Sequence, residues 1–134
     1  MSRAGWRRED GLIGKALVIS LVLLALLVVA AYDAGSILVA RYRVADLAER
    51  ATIAARQVYD RSGDRRAACA AAVDVVEAAD AGARIPDGGC VVDTAADRLS
   101  VTVRRTASTL VVRRIDALRR YGRVRATDSL PLTT

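Results

Sequence analysis

ALVISLVLLALLVVAAYDAGSILVARYR, residues 16–43, is uncharged from Ala16 to Tyr32, meets Asp33, and stays uncharged again until Arg41. It reads as a secretion signal, as a membrane anchor, or as the first half of a long helix that continues past the membrane. The run from Ala16 to Tyr32 spans ~26 Å at about 1.5 Å per residue. That is slightly short of the ~30 Å hydrocarbon layer, and Lys15 extends the reach by snorkelling. Arg3, Arg7 and Arg8 make a basic leader, and Ala30 and Ala31 offer small residues for a signal peptidase. Against cleavage, the apolar stretch exceeds the roughly 7–15 residues of a signal core. The following AYDAGSILVARYRVADLAERATIAARQVYD, residues 31–60, has no Pro and one Gly, so no boundary is marked. The sequence therefore predicts one continuous helix from about Leu12 to about Tyr59, retained as an anchor.

The rest of the composition narrows the function classes. The chain has 134 residues, no His, no Phe, and 53% hydrophobic residues that are mostly Ala, Val and Leu. Without His the commonest general base and metal ligand are missing, so an enzyme is not expected, nor a metal, cofactor or small-molecule substrate. The net charge is +6 with a pI near 10.1, carried almost wholly by Arg, which suits carboxylate and phosphate surfaces. Cys69 and Cys90 read as a disulfide in a small exported head, worth about 3 kcal/mol on chain-entropy grounds. The charges flanking the apolar run, Arg3, Arg7, Arg8 and Lys15 against Arg41, Arg43 and Arg50, are nearly balanced. The cysteines favour a cytoplasmic N-terminus and an extracytoplasmic head.

Beyond the apolar run the pattern predicts an α+β head with a second helix and a short antiparallel sheet. The units are a cytoplasmic basic tail (1–11), the transmembrane and continuing amphipathic helix (12–62), the head (63–127), and a disordered tail (128–134). DRSGD, residues 60–64, supplies Gly63 as a helix stop and Asp64 as the next N-cap, opening a helix from about Arg65 to about Asp80 whose Cys69, Ala72, Val73 and Val76 share a face. GARIPDGG reads as a loop, and strands are expected at Cys90–Thr94 and Arg98–Arg104, where Leu99, Val101 and Val103 alternate with polar residues. Val111, Ile115 and Leu118 fall on one helical face, predicting a helix from about Thr109 to about Tyr121 and then a closing strand from Arg123 to Thr127.

Three sets of residues are candidates for function. Ala45, Ala48, Thr52 and Ala55 form a small-residue row that rests on the head or packs beside other helices, and Asp33 either marks the water interface at the end of the apolar run or meets a cation on a neighbouring helix. Arg104, Arg105, Arg113, Arg114, Arg119, Arg120, Arg123 and Arg125 form a basic region with only Asp116 to balance it. As a functional face it would meet anionic lipid or an acidic partner; otherwise it is simply solvated. Nucleic acid ranks last, because the region has one Tyr and no recognisable binding fold. Asp80, Asp87, Asp93 and Asp97 are spaced too irregularly for a calcium loop and are assigned to caps and turns.

With these residues laid out, the chain resembles the TadE/TadG-like proteins of Tad (Flp-type) pilus assembly, particularly the short actinobacterial forms. The resemblance is carried by YDAGSILVARYRVADLAERATIAARQ at residues 32–57, by AACAAAVDVVEAADAG with GGCVV, and by RLSVTV. It implies a pseudopilin-like fold and a non-catalytic, membrane-anchored minor pilin or pseudopilin, working with other pilin-like or Tad apparatus proteins. Prepilins of this kind often carry Glu at the fifth position after the processing Gly; Ala16 and Ile19 stand there when counted from Gly11 and Gly14. The alternative class is a free-standing anchored or secreted binding module with a basic C-terminal face.

Overall fold

The computed structural model describes residues 6–132. Helix α1 covers Trp6–Ser62 as one unbroken element. The absence of Pro explains its continuity, and it begins earlier than the expected Leu12, so residues 6–11 of the basic tail are helical rather than a separate tail. The Arg3 end of that tail lies outside the described residues. Gly63, at a positive φ of 65°, ends the helix by donating its N–H to the Tyr59 carbonyl at 2.7 Å. Asp64 then caps α2 (Arg65–Ala79), its carboxylate accepting from the Arg66 N–H at 2.9 Å.

Among the described residues four strands follow, β1 (Ala83–Arg84), β2 (Cys90–Asp93), β3 (Arg98–Thr106) and β4 (Arg123–Pro131). β3 is the central lane of an antiparallel sheet. Along one edge it pairs with β4 over its full length, from Arg98↔Pro131 to Thr106↔Arg123. Its other edge is shared by β2 (Cys90↔Val101 to Asp93↔Arg98) and β1 (Ala83↔Arg105, Arg84↔Arg104). Between those two, the Gly89 carbonyl accepts from the Thr102 N–H at 2.7 Å. A Cβ at Gly89 would stand 2.8 Å from the Pro86 carbonyl oxygen, so only Gly lets the chain turn so tightly there.

One face of α1 (Ala40, Val44, Leu47, Ala48, Ala51, Ala55) packs on Ala68, Ala72 and Val76 of α2 and on Leu99, Val101, Val103 and Val124 of the sheet. Small side chains on both helices allow the close approach that so thin a core requires. A disulfide joins Cys69 of α2 to Cys90 at the start of β2.

Two further expectations fail, both at the C-terminal end. Residues 128–131 are not a disordered tail: β4 runs to Pro131, Leu130 lies opposite the buried Leu99, and the Leu132 N–H donates to the Asp97 carbonyl at 3.1 Å. Nor is there a helix over 109–121. The segment makes a turn closed by the Arg114 N–H on the Val111 carbonyl at 2.9 Å, passes through an extended Ile115, and then forms a 3₁₀ helix, Asp116–Gly122. The reason is geometric. An α-helix over 109–121 would be about 20 Å long, whereas paired strands stand roughly 4.8 Å apart. Because Thr106 pairs with Arg123, and the Ala107 N–H donates to the Gly122 carbonyl, the connection must end where it began.

Candidate functional site

A buried, multiply hydrogen-bonded carboxylate lies at the end of the apolar run. Asp33 is 4% exposed although it follows a stretch of α1 whose side chains stand open. Its Oδ1 accepts from the Leu110 N–H at 2.6 Å, and its Oδ2 accepts from the Val111 N–H at 2.9 Å and the Val112 N–H at 3.2 Å. Three consecutive amides converge because the turn after Thr109 points its N–H groups one way, and a carboxylate has lone pairs enough for all of them. The Leu110 hydrogen bond is the chief influence holding the Asp33 carboxyl below the usual range; burial opposes it, and the Val111 and Val112 amides add to the lowering. Asp33 thus finds hydrogen-bond compensation within its own chain, in the backbone N–H groups of residues 110–112.

The clamp holds the 107–122 connection against α1 at the level where the apolar run ends. Leu26, Val29, Ile37, Val112 and Leu118 line an apolar groove of about 410 Å³ between them. Thr109 beside the clamp is buried, and its hydroxyl has no hydrogen-bond partner among the described residues.

The small-residue row divides. Ala48, Thr52 and Ala55 are fully buried under α2 and the sheet, and the Thr52 hydroxyl donates to the Ala48 carbonyl at 2.6 Å. They serve the head and offer no surface to another helix. Ala45 is exposed on the opposite side of α1, near Tyr42 and Glu49.

The basic residues also divide. Arg113, Arg114, Arg119 and Arg120 are exposed on the 107–122 connection, where Arg119 pairs with Asp116 at 3.1 Å and Arg120 lies 5.0 Å over the Tyr121 ring. Arg104, Arg123 and Arg125 are exposed on the sheet's outer face. Arg105 turns the other way and pairs with Asp80 at 2.9 Å, so it leaves the expected face. Arg84 takes its place: it stands opposite Arg104, which stands opposite Arg125, a cross-strand row of like charges that stabilises nothing in the head itself. Sequence reasoning missed Arg84 because β1 has only two residues and lies in a stretch that reads as loop. The assigned turn roles hold for Asp80, which accepts from the Gly82 N–H, and for Asp93, which accepts from the N–H groups of Ala95 and Ala96.

No family model matches this chain, and neither a curated protein nor a solved structure does.

Proposed function

We propose that the protein is a non-catalytic, single-span membrane component of the TadE-like, pseudopilin-like kind, serving a pilus-type assembly or related secretion apparatus. In this reading the N-terminus is cytoplasmic and the disulfide-bonded head extracytoplasmic. One observation carries it. From Leu12 to Val28 the large apolar side chains of α1 are more than half exposed around the whole circumference, whereas the same helix beyond Asp33 is the spine of the head. A helix apolar on all sides needs lipid or other apolar helices around it. A rod that is bare at one end and capped at the other presents its bare end for lateral association and its head for surface contacts. The disulfide fits an oxidising compartment on the far side of the membrane.

Because the head covers Ala48, Thr52 and Ala55, association is assigned to the apolar half of α1 and to the open side carrying Tyr42 and Ala45. Photo-cross-linkers placed singly at Leu21, Leu24 and Ala45, with Val91 on the sheet as control, test this in intact cells. The expected products are adducts with other single-span proteins from Leu21, Leu24 and Ala45 and none from Val91. Monomer alone at every position, or a mature chain free in the culture fluid and starting near Tyr32, would favour the free-standing binding module instead.

A further inference from the structure

We infer that the 107–122 connection is a second membrane-contact element, a wedge that inserts Leu110, Val111 and Ile115 at the acyl boundary while its arginines bind anionic lipid phosphates. This rests on the single-span reading above. The level of the connection is fixed by Asp33, the first residue past the apolar run, whose carboxylate holds the amides of Leu110, Val111 and Val112. The groove it forms with α1 reaches down to Leu26, seven residues and so ~10 Å along the helix axis below Asp33. Segments lying in a membrane interface bury their apolar side by about 5–10 Å, the same range.

Its surface has the matching chemistry. Leu110 is 54% exposed and Ile115 44%. Beyond Asp33 the other large apolar residues left open are mostly Leu38, Val39 and Tyr42, on the adjoining turns of α1, while Ile53 and Val91 lie farther up the head. Apolar exposure is therefore concentrated next to the anchor. Arg113, Arg114, Arg119 and Arg120 flank these residues with Asp116 as the single acid, and Tyr121 sits under Arg120, an aromatic placed as in a membrane-interface belt. Phosphate is the group that Arg's planar fork fits, and near an anionic surface each such residue favours contact.

The test uses the full-length, disulfide-bonded protein in vesicles of phosphatidylcholine with or without phosphatidylglycerol. An environment-sensitive fluorophore is attached through Val111→Cys, Ile115→Cys, Leu24→Cys or Val91→Cys, one at a time, and lipids carrying shallow or deep quenchers are added. The expected result is blue-shifted emission and shallow quenching at positions 111 and 115, deep quenching at 24, and neither at 91. Phosphatidylglycerol should strengthen the response at 111, and joint Arg113→Gln, Arg114→Gln, Arg119→Gln and Arg120→Gln replacement should remove that gain. Asp33→Asn should abolish quenching at 111 while leaving it at 24. Quenching at 24 with none at 111 overturns the wedge and leaves the anchor standing; no quenching at 24 overturns the anchor itself. An equal response in neutral and anionic vesicles overturns the assignment of the arginines to lipid phosphate. Shielding of 111 in native membranes but not in vesicles assigns the face to a protein and overturns the proposal.

Discussion

At the scale of single residues, Asp33 and Thr109 sit side by side and illustrate opposite situations. Asp33 is buried with its lone pairs engaged by three backbone amides; Thr109 is buried with its hydroxyl unpartnered among the described residues. The clamp's pH dependence follows from the lowered carboxyl. A folded-state value below the unfolded one means that the contribution is complete above the ordinary carboxylate range near about 4. It is then lost as pH falls from there through the lowered value. Amide exchange at Leu110, Val111 and Val112 should accelerate, relative to the intrinsic rate, on acidification through that window; Asp33→Asn should show fast exchange at neutral pH and no acid step. Acid-insensitive protection at these amides would contradict the clamp. For Thr109 the expectation has the other sign. Replacing it by Val keeps the shape and removes an unpaired hydroxyl, so the head should gain about 1 kcal/mol, measured as a raised denaturant midpoint.

At the scale of elements, the disulfide and β4 each join segments that the helix α1 alone would not hold together. Reducing the Cys69–Cys90 bond, or replacing both with Ser, should lower head stability by about 3 kcal/mol in chemical denaturation. Truncation after Thr127 should lower the melting temperature clearly, because it removes the partners of Arg98 through Val101. What the sequence disclosed and what it hid separate on the same lines. α1, α2, the Gly63–Asp64 stop and cap, β2, β3 and the cysteine pair all announce themselves through local signals: absent Pro, capping chemistry, and apolar spacing of 3.6 or 2. The 107–122 connection, β1, the far half of β4 and the role of Asp33 do not. Val111, Ile115 and Leu118 keep helical spacing, yet pairing of Thr106 with Arg123 forbids a long helix, and Asp33 reaches amides 77 to 79 residues away. Such contacts leave no periodic trace. The small-residue row was legible as a packing face, but its partner was not: Ala48 and Thr52 look the same in sequence whether they meet their own head or another helix.

At the scale of the whole molecule, α1 joins an apolar run long enough to cross a membrane to the packed head, and the consequence is a protein that should come apart in two stages. Residues from Ala40 to Ala55 contribute a face to the head's core, packed on α2, β3 and β4, so that stretch has its stability in common with the sheet. The apolar run before Tyr32 packs on little of the head and depends on its surroundings, where an α-helix satisfies every backbone group within the segment itself. Damage to the core should therefore melt the head together with the outer half of the helix and leave the inner half helical. Ala48→Arg is the sharpest probe, since Ala48 has no exposed surface and a guanidinium there is both oversized and unpaired. The expected loss is at least about 3 kcal/mol. In detergent micelles, hydrogen exchange read by mass spectrometry should then show residues 40–59, α2 and β3 losing protection together, with residues 16–30 still protected. Independent loss of the sheet while residues 40–59 stay protected would mean that the helix stands without its head, and that α1 is a stalk rather than a spine.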